Sequence, residues 1–135
     1  MRAMQVTAHN QPLTLQNIEI PVPRHGEVLV QVDTCGLNFG DLLVIKGTYQ
    51  EKPALPVTLG MELAGTITAL GDGVTGLHVG QRIAAYSGFH GLAEYAAVAA
   101  DICVPIPDAM TAVDAAAFLI AYGTSHVALD YKARL

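Results

Sequence analysis

Residues 35–49, CGLNFGDLLVIKGTY, bring four kinds of chemically useful side chain into one short stretch. They are the thiol of Cys35, the amide of Asn38, the carboxylate of Asp41 and the phenol of Tyr49. Thiolates and carboxylates are metal ligands, and an amide and a phenol are hydrogen-bond donors for a developing oxyanion. A plainer interpretation is also open: Asn38 and Asp41 form a turn and cap a helix, and Cys35 is a small buried strand residue.

The remaining potential metal ligands have no spacing typical of a metal site. The five histidines are scattered, and neither H-E-x-x-H nor C-x-x-C occurs. Zinc sites use three or four thiolate, imidazole or carboxylate ligands. Folding would have to bring Cys35, His90 and Glu62 together to make one, and nothing in their spacing indicates that it does. We therefore predict no metal site.

A second motif, GDGVTG at residues 71–76, matches the dinucleotide pattern G-x-G-x-x-G, with Glu94 near the distance of a ribose ligand. That fingerprint needs a following helix, whose free N–H groups hold the pyrophosphate. Here LHVGQRIAAY follows, which has an internal glycine and then a strand pattern, and Asp72 places a negative charge inside the loop. We predict a hairpin or bulge loop rather than a cofactor loop.

The elements that must position these residues are mainly strands. The clearest is GEVLVQVDTCGLN, in which Val28 and Val30 fall on one face and Gln31 and Asp33 on the other. FGDLLVIKG follows as a short helix that ends at Gly47. The spacing of the strands suggests a closed barrel over residues 1–110. The other predicted strands are MQVTAH paired with PLTLQNIEIPVP, then ELAGTITALG, QRIAAYSG, LAEYAAVAA and DICVPIP.

The pattern changes to helical composition over residues 111–135. Thr111 and Asp114 resemble a capping box at its start. Gly123 is predicted to divide the segment into two helices, with Thr124 as the N-cap of the second.

Composition excludes several classes of function. The 135 residues are 52% hydrophobic and 14% charged, which favours a well-buried core over disorder. The net charge is −5 with no Lys/Arg cluster, which argues against nucleic-acid binding. The N-terminus has no apolar signal region, and the run AAAFLIAY is too short to span a membrane. Two cysteines predict reduced thiols in a cytoplasmic protein.

Four stretches together resemble the medium-chain dehydrogenase/reductase superfamily in order and spacing. The resemblance is strongest to its zinc-independent quinone oxidoreductases, the zeta-crystallin-like branch. It implies a mainly β fold with short helices: a GroES-like, partly open β-barrel, then C-terminal helices that lead toward a Rossmann domain absent from these residues. The four stretches are GLNFGDLLVIKGTY, LPVTLGMELAGTITALGDGVTGLHVGQRI, LAEYAAV and AAAFLIAYGTSHVAL.

The resemblance also bears on zinc. In the zinc alcohol dehydrogenases the corresponding stretches read G-x-C-x-x-D and G-H-E, and the Cys and His bind the catalytic metal. This chain has Asn38 and Met61 at those positions. An amide and a thioether are poor zinc ligands, and Asp41 and Glu62 without the softer ligands do not restore the site. The resemblance therefore implies catalysis without zinc.

The site residues follow from the same resemblance. It implies that Asn38 contacts both substrate and cofactor, and that Tyr49 is a pocket wall and hydrogen-bond donor. Thr124, at a helix start, would face the nicotinamide, and Tyr122 is a further cofactor-binding candidate. Leu43 stands where some relatives have a pocket tyrosine.

The implied activity is NADPH-dependent reduction of a small quinone or related activated carbonyl by hydride transfer. Residues 1–135 alone are expected to be inactive, because the absent domain would bind most of the NADPH. The complete enzyme is expected to be a cytoplasmic homodimer. Three alternatives stay open: an enoyl reductase, free or from a polyketide synthase; a relative of the zinc alcohol dehydrogenases; and a stand-alone GroES-like interaction module.

Overall fold

The computed structural model describes all residues from Met1 to Leu135. Eight strands and three helices follow one another, with a 3-10 turn at Ala100–Ile102 and a π-helical segment at Val127–Lys132. None of the helices is long and apolar enough to cross a membrane. The elements are β1 Arg2–Val6, β2 Thr14–Asn17, β3 Glu27–Gly36, α1 Phe39–Ile45, β4 Val57–Thr58, β5 Glu62–Leu70, β6 Arg82–Tyr86, β7 Tyr95–Ala99, β8 Cys103–Pro105, α2 Ala112–Ala116 and α3 Leu119–His126.

The strands form two antiparallel sheets, with the orders β2-β1-β4 and β7-β3-β5-β6-β8. The suggestion of a closed barrel is wrong, because each sheet keeps two edge strands. Closure needs an unbroken ladder of strand pairs, and β4 has two residues and β8 three. The mainly β, partly open arrangement implied by the resemblance is confirmed.

The central strand β3 has the predicted alternation. Val28 and Val30 are fully buried against Leu63 and Ile67 of β5, whereas Gln31 and Asp33 are exposed. The pairing with β5 shifts register twice, between residues 29 and 30 and between residues 32 and 34. These irregularities, which increase local twist, were not predicted.

The predicted local signals at α1 and between β5 and β6 are also present. Gly47 follows α1 with a positive φ of 69°, as expected of a helix end. The GDGVTG stretch lies in the connection between the antiparallel strands β5 and β6, so its prediction as a hairpin loop is confirmed. Gly73 has a φ of 77° and lies against the ring of His25.

The C-terminal helices differ from the prediction. Thr111 caps α2, with its Oγ1 accepting from the Asp114 N–H at 3.1 Å. The break comes at residues 117–118, and Gly123 lies inside α3, so the predicted break at Gly123 is wrong. Thr124 is therefore interior to α3 and is not its N-cap. A glycine inside a helix costs only about 1 kcal/mol, so it does not by itself end one.

The segment 111–135 is attached to the sheets through α2. Ala115 and Ala116 are buried against Ala64 of β5 and Ala84 of β6. Arg82 supports the approach to α2, because its guanidinium donates to the Met110 carbonyl at 2.7 Å. The division at residue 110 stays a prediction.

Candidate active site

Asn38 lies between the end of β3 and the start of α1, as the sequence predicted. It is the N-cap of α1, and its backbone N–H donates to Asp41 Oδ2 at 2.9 Å. Its side-chain Nδ2 donates to Glu62 Oε1 at 2.9 Å. The backbone N–H of Asn38 and its Nδ2 thus have different partners, the first in α1 and the second at the start of β5.

Two buried carboxylates surround Asn38. Asp41 is 4% exposed and Glu62 is 3% exposed. Besides Asn38, Asp41 accepts from the Gly60 N–H at 3.0 Å, and Glu62 accepts from the Ile120 N–H at 2.9 Å. Burying a carboxylate is costly unless hydrogen bonds satisfy it. Both carboxylates are satisfied by N–H groups and hold loops and helices in place.

Cys35 lies beside these carboxylates as a half-buried thiol. Burial, followed by the nearby charges of Asp41 and Glu62, raises the pKa of the Cys35 thiol to about 12. The thiol is thus protonated at neutral pH and is a weak nucleophile. The fold does not assemble Cys35, Glu62 and His90 into a metal-binding group, and no other set of three His, Cys, Asp or Glu side chains forms one.

Met61 occupies the neighbouring apolar space. It is 4% exposed and belongs to a core cluster against which the Tyr49 ring packs. Gly40 permits this packing, since a Cβ there would lie 2.7 Å from Met61 Sδ and 3.4 Å from Tyr49 Cε2. The thioether therefore fills space in a core and is not presented as a ligand.

An open groove of about 570 Å³ lies between the end of β6 and α3. Tyr86 lines this groove and lies next to Tyr49. The pKa of Tyr86 is raised, first by desolvation and then by the adjacent Tyr49 hydroxyl. Tyr86 was not among the predicted site residues. The signal that could have found it is an aromatic residue at a strand end just before Ser87 and Gly88. The groove is lined by Tyr86, Leu119, Ile120, Gly123, Thr124, Val127, Ala128 and Lys132.

Only some of the predicted site residues lie at the groove. Thr124 lines the groove, although from inside α3. Asn38 is joined to the groove wall through Glu62 and Ile120. Tyr122 does not line it: it is 62% exposed and stacks on Phe118 at 4.7 Å between ring centroids.

A separate cleft of about 470 Å³ shares no lining residue with the groove. It is bordered by Pro21, Arg24, His90 and Tyr95, among others. It contains none of the predicted site residues, so the groove beside Tyr86 is the better candidate for chemistry.

Known proteins resemble this chain in both sequence and structure. The alcohol dehydrogenase GroES-like domain family matches residues 24–108. Quinone oxidoreductase-like protein 2 of Mus musculus is 39% identical over 134 residues, which are 99% of this chain and 38% of that protein. The chain thus spans well under half the length of this relative.

Solved structures support the same grouping. The human synaptic vesicle membrane protein VAT-1 homolog-like protein superposes with a TM-score of 0.97 at 35% identity, over 100% of this chain and 44% of that one. The quinone oxidoreductase of Thermus thermophilus, described together with its NADPH complex, has a TM-score of 0.85 at 32% identity, over 97% and 41% of the two chains. This chain belongs to the alcohol dehydrogenase GroES-like domain family, on the quinone oxidoreductase side of the medium-chain dehydrogenase/reductases.

Proposed function

We propose that the chain is the substrate-side domain of an NADPH-dependent reductase that delivers hydride to a quinone or related activated carbonyl without zinc. The observation that carries this proposal is the chemistry at the two positions of the metal ligands. Asn38 presents an amide there, hydrogen-bonded to Glu62, and Met61 is buried in a core cluster. The names of the relatives support the quinone class, and the Thermus complex supports NADPH.

The groove fits a flat ring system. Apolar side chains of α3 and of the π-helical segment line it, and Thr124 and Tyr86 add hydroxyl-bearing side chains to the lining. When bound, NADPH supplies the hydride. Tyr86 and Thr124 would hold the ring, and Asn38 would meet the ribose or the acceptor oxygen.

The chain's own residues then stabilise the charge that develops on the acceptor. One N–H of the Asn38 amide is used by Glu62, so the other N–H is left to donate. Tyr86 adds a phenolic donor at the groove, and the Tyr49 phenol lies next to it. Fixed donors at a developing oxyanion typically lower a barrier by about 3–4 kcal/mol each, and a quinone, which accepts hydride readily, does not require a Lewis acid in addition.

The proposal is tested with the full-length protein and with residues 1–135 alone. The full-length protein should oxidise NADPH in the presence of a simple benzoquinone. Tyr49→Phe should lower that turnover, whereas the control Tyr95→Phe, in the separate cleft, should not. Residues 1–135 should be inactive, because loss of cofactor positioning removes roughly 7–11 kcal/mol of barrier reduction.

Two results would contradict the proposal. Reduction of an enoyl thioester but no quinone would assign the protein to the enoyl reductases. Saturable NADPH binding or turnover by residues 1–135 would place the cofactor site within this chain. A homodimer and a cytoplasmic location belong to the same proposal; sedimentation of the full-length protein tests the first and imaging of a tagged copy the second.

A further inference from the structure

We propose that Glu62 is a positioning residue, whose buried carboxylate sets the orientation of the Asn38 amide and ties it to the start of α3. This inference rests on the proposed function, since it explains how the amide would be aimed at the acceptor. It adds a role for a residue that the family resemblance left without one in this chain. The hydrogen bonds of the Glu62 side chain and the packing around it support this role.

Glu62 joins three elements that are far apart in sequence. It is the first residue of β5. Its Oε1 accepts from Asn38 Nδ2 before α1, and its Oε2 accepts from the Ile120 N–H in the first turn of α3, both at 2.9 Å. The Ile120 N–H is one of the amides at a helix start that lack a partner within the helix, and a carboxylate at that end is favoured by the helix dipole.

The backbone of β3 leaves room for this carboxylate. Gly36 pairs with Glu62 across the sheet. A Cβ on Gly36 would lie 2.7 Å from Glu62 Oε1 and 2.5 Å from the Ala116 carbonyl oxygen. Any larger residue at position 36 would push the carboxylate away from Asn38 or α2 away from the sheet. The close approach therefore depends on a glycine directly opposite Glu62.

The chemistry of the two partners sets the polarity of the Asn38 amide. Each Glu62 oxygen faces an N–H donor, and a carboxylate accepts without donating. The nitrogen of the Asn38 amide must therefore face Glu62. Its second N–H is left for a ligand.

Exchanging the amide of Asn38 and the carboxylate of Glu62 distinguishes a positioning role of Glu62 from a purely structural one. Glu62→Gln leaves one acceptor oxygen for two N–H donors, so its NH₂ group must face either the Asn38 amide nitrogen or the Ile120 N–H. One of the two hydrogen bonds is then lost, or the Asn38 amide inverts. The double variant Asn38→Asp with Glu62→Gln restores the pair. The new amide at position 62 donates to the new carboxylate at position 38, and its oxygen still accepts from the Ile120 N–H. The hydrogen bonds return, but position 38 then offers a ligand only carboxylate oxygens.

The experiment compares these variants in the full-length protein, with the exposed Glu19→Gln as control. We measure the thermal midpoint, the hydrogen exchange of the Ile120 amide and the quinone turnover. Glu62→Gln should lower the midpoint, speed exchange and reduce kcat on the order of 10²-fold, as expected for a misplaced reacting group. The double variant should recover the midpoint and the protection while kcat stays low, and Glu19→Gln should resemble the wild type.

Each other outcome overturns the inference. Recovery of kcat in the double variant would make Glu62 a structural residue only. Failure to recover the midpoint and the protection would show that the assigned hydrogen-bond polarity is wrong. These two readouts need no substrate, so they still test the link to Ile120 if the wild type proves unable to reduce quinones. Failure of the proposed function is thereby distinguished from failure of this inference.

Discussion

Gly60→Ala is expected to be among the most damaging single-methyl additions in the chain. Gly60 is buried, has a φ of 97°, and donates its N–H to Asp41 Oδ1 at 3.0 Å. A Cβ there would lie 2.5 Å from Cys35 Sγ and 2.6 Å from the backbone nitrogen of Leu92. The added methyl group therefore meets a strained backbone conformation and two close neighbours at once.

The size of the loss follows from these two causes. A non-glycine residue in a sparsely populated backbone region costs about 1–3 kcal/mol, and overpacking by a methyl group costs about 1–3 kcal/mol more. The sum of roughly 2–6 kcal/mol is a large share of the 5–15 kcal/mol that stabilises a typical domain. Gly76 is the matched control, since its φ is 79° but no atom lies within 4 Å of its Cβ position. Gly76→Ala should cost about 1–2 kcal/mol.

Urea unfolding of residues 1–135, followed by circular dichroism, measures both losses. Adding Cys35→Ala to Gly60→Ala removes one close contact, but the Leu92 backbone cannot move away easily, so most of the loss should persist. A loss for Gly60→Ala no larger than that for Gly76→Ala would refute the packing argument. Full rescue by Cys35→Ala would refute the role given to the Leu92 backbone.

Four further predictions concern the site and its surroundings. Asn38→Ala should lower quinone turnover of the full-length protein by about 2–4 kcal/mol in barrier, and its free energy of unfolding by about 1 kcal/mol; unchanged turnover with a lower melting temperature would reduce Asn38 to a turn residue. Gly73→Ala should destabilise the loop beside His25 without changing NADPH affinity, and a selective rise in the NADPH Kd at unchanged stability would reverse this. Burial raises the pKa values of Cys35 and Cys103 to about 12 and about 11, so iodoacetamide labelling should keep rising with pH well past the usual thiol pKa of about 8.5. Both thiols also stabilise the fold at pH values below about 8.5, and this stabilisation is lost as the pH rises toward the pKa values of the folded state. A labelling plateau near the usual thiol pKa would contradict the burial argument. Elemental analysis of unchelated protein should find far less zinc than protein, since an amide and a thioether replace the softer ligands, and a stoichiometric amount would contradict the assignment.

Features set by neighbouring residues could be predicted from the sequence. The alternation of Val28 and Val30 with Gln31 and Asp33 predicts which face of β3 is buried, because side chains of a strand point alternately to its two faces. Local backbone preferences also determine three other features: the end of α1 at Gly47, the Thr111 cap and the hairpin loop at residues 71–76. The family followed from longer motifs, and the comparisons confirm it.

Features that depend on distant partners were decided by the tertiary structure. Glu62 meets Asn38 across 24 residues and Ile120 across 58, and no local pattern indicates either bond. α3 begins at Leu119, where its first turn meets the Glu62 carboxylate, so Thr124 falls inside the helix. Tyr86 reaches Tyr49 and the groove only because β6 ends beside α3. Sequence determines which groups the chain can offer through local propensity and side-chain chemistry; their partners are decided by long-range packing, which brings buried polar groups to whichever N–H groups and carboxylates can satisfy them.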